Sequence, residues 1–172
     1  MNRLTTTTWM TATVALLATA LVAVAAEKGK SLLKKDPAKR EAWRLEQFEQ
    51  GKGMMKEDDG AILFEVTDAG AQNWHVQAFL TQLDLKEGQE YTFTCKLKGD
   101  PARTITAISC IDEDDWHPVG LQEDIELAKD WKEHSYTFKA ENVAKDAKNR
   151  IGFMMGSDKG KVWVKDVSLT EK

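Results

Sequence analysis

Hydrophobic and polar residues alternate along most of the chain, and the most regular stretch spans residues 73–98. Within it, residues 74–80 and 91–97 place apolar side chains at every second position, and Lys86, Glu87 and Gly88 interrupt the pattern between them. A period of two is typical of β-strands with one face on a core, and a glycine-bearing polar break is typical of a turn. The stretch therefore predicts two strands around which the rest of the domain is arranged.

Similar short runs recur along the chain and predict further strands. They cover residues 43–48, 61–67, 104–111, 125–127, 131–140, 151–155 and 162–170. Residues 50–60 and 112–120 are predicted as loops, and a short helix over 38–48, beginning at Asp36-Pro37, is the alternative to the first strand. Short strands with regular turn signals indicate an all-β fold, an antiparallel β-sandwich or jelly roll. The predicted core contains Phe64, Phe93, Phe138, Val167 and Leu169.

The N-terminus has a different pattern. Arg3 is the one charge before Glu27, and the apolar run over 14–26 ends in small residues. These features predict a secretory signal peptide over 1–26, cleaved after Ala25 or Ala26, although 9–26 is also about long enough for a membrane anchor. Residues 27–40 carry six Lys or Arg and are predicted as a basic linker before a sandwich domain over 41–172. The mature protein is expected to be secreted or periplasmic.

Charge and cysteine content narrow the possible functions. The net charge is −4, from 24 basic and 28 acidic residues. A mildly acidic domain is a poor nucleic-acid binder, because phosphate contacts need clustered Lys and Arg, and no membrane association is expected after signal cleavage. Cys95 and Cys110 either form a disulfide in an oxidising compartment or remain as two buried thiols.

The sequence gives no sign of catalysis. His75, His117 and His134 lie near no nucleophile motif. The acidic cluster over 112–115 departs from a calcium-binding EF-hand loop, because Trp116 and His117 stand where a ligand and a glycine belong. Chance carboxylate pairs are expected among 28 acidic residues. We therefore predict that the protein is not an enzyme.

Tryptophans suggest binding instead. Five of them follow the predicted signal peptide: Trp43, Trp74, Trp116, Trp131 and Trp163. Trp131 and Trp163 are predicted in the core, whereas Trp116 lies in a polar loop and Trp74 is flanked by hydrogen-bonding residues. An exposed indole is a flat platform for the C–H face of a sugar. A core position is the alternative for each of them.

Four motifs in the same order and spacing resemble the carbohydrate-binding modules of the cellulose- and xylan-binding type, the families numbered four, nine and twenty-two. They are W-x-V-Q at 74–77, L-x-L-x-x-G-x-x-Y at 83–91, W-K-x-x-S-x-T-F at 131–138 and G-K-V-W-V-K-D-V-S-L at 160–169. The resemblance covers about residues 43–171. It implies a galactose-binding-like β-jelly-roll that binds polysaccharide of the β-glucan or xylan class without catalysis, often beside a glycoside hydrolase.

The resemblance also implies particular site residues. Trp74 matches a tryptophan in the cleft of the xylan-binding relatives, and Gln77 is a hydrogen-bonding neighbour if the strand twists or bulges there. Met154 lies on a strand where relatives place a polar ligand contact, and Trp116 is a second candidate platform. A structural calcium is implied near the last strand, where Asp166 and Glu46 are the candidate ligands, although Lys165 replaces the first of the two usual aspartates. The alternative function is a structural or protein-interaction sandwich that has lost glycan binding.

Overall fold

Ten β-strands make up most of the computed structural model, which describes residues 31–172. The strands are β1 (Trp43–Gln47), β2 (Lys52–Asp58), β3 (Ala61–Asp68), β4 (Val76–Leu83), β5 (Glu90–Asp100), β6 (Arg103–Ile111), β7 (Pro118–Leu127), β8 (Lys132–Lys139), β9 (Asn149–Met154) and β10 (Gly160–Glu171). They form two antiparallel sheets. The first sheet has the order β1-β4-β9-β6-β7, and the second has the order β2-β3-β10-β5-β8.

The core lies between the two sheets, because alternate residues of each strand face inward. Phe64, Phe93, Phe138, Val167 and Leu169 are all buried there, as predicted. The all-β sandwich prediction is therefore confirmed.

The described residues before β1 are attached to the sandwich. Leu32 N donates to Leu169 O at 2.7 Å, and Trp43 Nε1 donates to Pro37 O at 2.8 Å. Leu33 packs against the core. Arg40–Ala42 forms a single 3-10 turn and β1 follows, so the strand, and not the alternative helix over 38–48, is the structure of this segment. The predicted signal peptide and residues 27–30 lie outside the described residues. No helix within 31–172 is long and apolar enough to cross a membrane.

Two predicted loops were wrong in part, and both contain edge strands. Residues 50–60 contain β2, and β7 begins at Pro118, well before the predicted short strand over 125–127. Each of these strands pairs with one neighbour in its sheet. Edge strands tolerate charges and glycine, which blunt further pairing, so their hydrophobic alternation is weak.

The prediction that Trp131 and Trp163 lie in the core was wrong. Both are half-buried on the outer face of the second sheet. A β-bulge between Lys165 and Ser168 shifts the register of β10, so Trp163 does not share a face with Val167 and Leu169 as simple alternation implies. Lys98 Nζ lies 4.6 Å from the Trp163 ring centroid.

Both cysteines are free and buried. Cys95 is on β5 of the second sheet and Cys110 on β6 of the first sheet, so the alternative of two buried thiols is the one observed. Burial raises the pKa of Cys95 to about 12, and burial also raises the pKa of Cys110. Both side chains therefore serve as small core groups.

Candidate functional site

The outer face of the first sheet carries a row of side chains that crosses all five strands. Strand pairing aligns one residue from each strand in this row: Glu46, Gln77, Met154, Thr106 and Asp124. On β4, the residues on either side of Gln77 (Val76 and Ala78) belong to the core. Alternation therefore directs Gln77 to the outer face.

An open cavity of about 300 Å³ lies over one half of this row. Its lining residues are Glu46, Phe48, Trp74, Gln77, Trp116, Arg150 and Met154. The four predicted carbohydrate-binding residues Trp74, Gln77, Trp116 and Met154 thus come together around a single space. Strict alternation separates Trp74 from Gln77, but Asn73–His75 forms a 3-10 turn and β4 begins only at Val76. This turn places the indole beside Gln77.

One wall of the cavity is formed by Trp74 and Phe48. Trp74 is 40% exposed and Phe48 is 41% exposed, and their ring centroids are 5.8 Å apart in an edge-to-face arrangement. Asn73 Nδ2 donates to Thr106 Oγ1 at 3.0 Å and ties the 3-10 turn to the sheet, while Phe48 N donates to His75 O at 2.9 Å. Sequence reasoning missed Phe48, although the alternation Arg44, Glu46, Phe48 puts it on the polar face of β1.

The opposite wall is a stack of three groups rising from the sheet. The Arg150 guanidinium carbon lies 3.9 Å from the Phe79 ring centroid and 4.6 Å from the Trp116 ring centroid. Arg150 is 2% exposed, whereas Trp116 at the top of the stack is 48% exposed. Cation–π contacts of this kind are strongest when the cation is desolvated. Arg150 therefore supports Trp116 from below and leaves its outer face open.

The charges in the cavity floor are paired. Glu46 Oε2 accepts from Arg150 Nη1 at 2.8 Å and from Gln77 Nε2 at 2.9 Å, and Glu46 Oε1 lies 2.7 Å from Arg44 Nε. Arg44 also forms a two-pronged pair with Asp112, whose hydrogen bond is the main cause that raises the pKa of Arg44. With these charges compensated, the floor suits a neutral ligand.

Gln77 supplies the unsatisfied polar group of the floor. It is 4% exposed, and its Nε2 is committed to Glu46. Its Oε1 is buried and has no hydrogen-bond partner among the described residues. A buried acceptor without a donor costs free energy, which a ligand hydroxyl can recover by donating to it. Met154, the next residue in the row, offers an apolar surface beside this acceptor.

The two candidate calcium ligands do not fit a calcium site. Glu46 lies on the first sheet and is engaged by arginines, whereas Asp166 lies on β10 of the second sheet and pairs with Lys96 Nζ at 2.8 Å. Calcium needs six to eight oxygen ligands converging on one point. Within residues 31–172, no group of three or more His, Cys, Asp or Glu side chains is arranged to hold a metal ion.

Comparison with known proteins places this architecture. No protein-family model and no curated protein matches the chain. Among solved structures, a family 4 carbohydrate-binding module superimposes with a TM-score of 0.68 at 20% identity, over 83% of this chain and 97% of that one. The chain has the fold of the jelly-roll carbohydrate-binding modules.

Two further solved structures share this jelly-roll fold. The N-terminal cellulose-binding domain of Cellulomonas fimi β-1,4-glucanase C has a TM-score of 0.62 at 21% identity, over 79% of this chain and 92% of that domain. The CBM22-1–GH10 modules of Clostridium thermocellum xylanase 10B, complexed with xylohexaose, have a TM-score of 0.53 at 17% identity, over 83% of this chain and 28% of that one. At these identities the likeness establishes the fold.

Proposed function

We propose that the protein is an exported, non-catalytic carbohydrate-binding module that binds a polysaccharide of the β-glucan or xylan class in this cavity. The observation that carries the proposal is the pair of exposed tryptophans, Trp74 and Trp116, on either side of the unpartnered acceptor of Gln77. The structural neighbours that bind cellulose or are complexed with xylohexaose support this choice of ligand.

Each part of the cavity has a task in such binding. The C–H faces of sugar rings pack on indole surfaces, and the two walls supply one surface each. Gln77 Oε1 accepts a hydrogen bond from a sugar hydroxyl, and Glu46 keeps the amide in the orientation that presents this oxygen. Because the neighbouring charges are paired, a neutral glycan enters without leaving a charge uncompensated.

The composition of the cavity also supports binding without chemistry. Most glycoside hydrolases use two carboxyl groups across the scissile bond. The lining includes one carboxylate, Glu46, which is already bound by Arg44, Arg150 and Gln77. A partner glycoside hydrolase that the module directs to its substrate fits this role, as in the xylanase neighbour, whose chain contains both kinds of module.

Truncation of the exposed tryptophans tests the proposal. We expect Trp74→Ala and Trp116→Ala each to weaken binding to a soluble β-glucan or xylan by about 1–3 kcal/mol, the range of aromatic stacking and anchor contacts. Affinity electrophoresis and titration calorimetry measure this change. The folding transition should be nearly unchanged, because both indoles are largely exposed.

Trp163→Ala is the matched control, because it removes the same side chain from the outer face of the opposite sheet. It should leave glycan affinity unchanged. If Trp74→Ala and Trp116→Ala both unfold the domain, these residues are structural and the site is wrong. If wild-type protein is retarded by no polysaccharide, glycan binding is wrong, and a structural or protein-interaction role replaces it.

A further inference from the structure

Trp116 stands on a loop that holds it in an unfavourable backbone conformation. The loop joins β6 to β7, and Trp116 has a φ of 53°. Non-glycine residues with positive φ are uncommon, and a bulky residue there persists only when its surroundings hold it. The Arg150 stack supports the indole ring from the sheet side. The backbone of the loop tip needs a hold of its own.

His117, the next residue, provides that hold through both nitrogens of its ring. His117 Nδ1 lies 2.7 Å from Asp115 Oδ1, and Nε2 lies 2.8 Å from the backbone oxygen of Asn142 in the loop between β8 and β9. A carboxylate oxygen and a carbonyl oxygen are both acceptors. A neutral imidazole has one N–H, whereas an imidazolium has two. Both contacts are therefore satisfied together only when His117 is protonated.

The same contacts set the direction of its titration. The pKa of His117 is raised from its ordinary value, first by the Asn142 carbonyl and then by the Asp115 carboxylate. In turn, the hydrogen bond from His117 lowers the pKa of Asp115. The stabilisation is thus fully present below the ordinary histidine value of 6.5 and is lost as the pH rises through the raised pKa. Above it, one ring nitrogen faces an oxygen with no proton between them.

Other charged groups flank His117 from the two loops that meet around it. On its own loop they are Asp112, Glu113, Asp114 and Asp115, and on the loop between β8 and β9 they are Glu141, Lys145, Asp146 and Lys148. Several are engaged elsewhere: Asp112 with Arg44, Glu113 with Lys148, and Glu141 with Lys139. Asp115 is the charged group in direct contact with the imidazole.

We propose that His117 is a positioning residue of the glycan site: its imidazolium fastens the loop that presents Trp116, so that glycan affinity is high when His117 is protonated and falls when it is deprotonated. The dependence of affinity rests on the function proposed above, in which Trp116 contacts the sugar. The fastening of the loop rests on the geometry of His117 alone.

A pH series of glycan affinity tests the proposal. For wild-type protein and a soluble β-glucan or xylan, we expect affinity to fall about fivefold or more between about pH 5.5 and about pH 9, the low end of couplings between linked sites. His117→Gln should lose this dependence. Asp115→Asn should move its midpoint to lower pH, because the carboxylate that favours the imidazolium is gone; a merely structural role for the loop produces no such shift.

His134→Gln is the matched control. His134 lies on β8 of the opposite sheet, and burial lowers its pKa. This variant should keep the wild-type profile of affinity against pH. If wild-type affinity is independent of pH, or if His117→Gln keeps the same profile as wild type, the proposal is overturned.

Nuclear magnetic resonance separates this proposal from the proposed function. The indole N–H signal of Trp116, assigned by its loss in Trp116→Phe, should shift with pH along the titration of the His117 ring, with no ligand present. Saturating glycan should raise the pKa of His117, because coupling between a proton and a ligand is reciprocal. A Trp116 signal that ignores the His117 titration overturns the proposal. A coupled signal without glycan binding at any pH overturns the proposed function and leaves the fastening of the loop in place.

Discussion

Arg150 is a fully buried charge whose partners come from distant parts of the chain. Its guanidinium is 2% exposed and pairs with Glu46, which is 104 positions earlier in the sequence. Its Nε donates to Cys110 Sγ at 3.1 Å. A buried charge is tolerated only when it is paired and hydrogen-bonded. Glu46 therefore has two tasks, since it compensates Arg150 and orients the amide of Gln77.

Removal of Glu46 should be strongly destabilising. Glu46→Ala leaves Arg150 buried with Asp112, 3.7 Å away, as its remaining carboxylate partner. Breaking one side of a buried pair costs about 3–5 kcal/mol, and we expect a value of about 3 kcal/mol because Asp112 remains. Urea unfolding followed by circular dichroism measures the change. Glu141→Ala, which removes an exposed pair with Lys139, should leave the midpoint unchanged, and equal effects of the two substitutions would contradict this account of Arg150.

The residue types at the site were predictable, but some of their positions and partners were not. Trp74 and Trp116 stand out because their sequence neighbours are polar, and the structure places both on the cavity. Arg150 carried no such signal, because it precedes a predicted strand and its partners are remote in sequence. Trp74 and Gln77 were expected on opposite faces, and only the 3-10 turn at Asn73–His75 brings them together.

At the scale of elements, the pairing of β4 with β9 sets the shape of the cavity floor. Gln77 on β4 aligns with Met154 on β9, and Phe79 aligns with Gly152. The two backbones are very close at Gly152, since a Cβ added there would lie 2.0 Å from Ala78 O and 2.9 Å from Phe79 Cα. Glycine is therefore required at this position for close approach of the strands.

Gly152→Ala should disturb both stability and the site. The added methyl group must separate β4 from β9, and overpacking of this kind costs about 1–3 kcal/mol or somewhat more. Unfolding experiments measure the loss, and glycan affinity should fall with it because Gln77 and Phe79 are displaced. Gly60→Ala is the comparison: its φ of 74° is unfavourable for alanine, but no atom lies within 4 Å of the new methyl group. It should cost some stability and leave affinity intact; a loss of affinity in Gly60→Ala alone would contradict this assignment.

Elements with two neighbours in a sheet were easier to predict than elements with one. The central strands β3, β5 and β10 showed clear alternation, because each has one face on the core and a neighbour on both sides. The edge strands β2 and β7 have glycine and charge within them, and their sequences resembled loops. The bulge in β10 left no mark in the sequence, so the face of Trp163 was wrongly predicted.

At the scale of the whole molecule, the two sheets have different outer faces. The first sheet presents the open cavity, whereas on the second sheet lysines cover the tryptophans. Lys98 Nζ lies within 5.0 Å of both the Trp131 and the Trp163 ring centroids, and Lys165 Nζ lies 4.2 Å from that of Trp131. Lysine stems pack on aromatic faces while their charged ends remain in water. This difference favours the first sheet as the binding face.

The segment before β1 joins the two sheets, and its removal is the last prediction. A chain that begins at Ala38 loses the Leu32–Leu169 backbone hydrogen bond on the second sheet, the Pro37 acceptor of the buried Trp43 on the first sheet, and the packing of Leu33. We expect it to be about 2–4 kcal/mol less stable than a chain that begins at Glu27, since a buried donor left without its acceptor costs about 1–3 kcal/mol by itself. Calorimetry or urea unfolding measures the difference, and Leu33→Ala in the longer chain isolates the packing part. Glycan affinity should be equal in both chains, because none of the residues that line the cavity belongs to this segment. Equal stability of the two chains would show that residues 27–37 act as a free linker, as the sequence alone suggested.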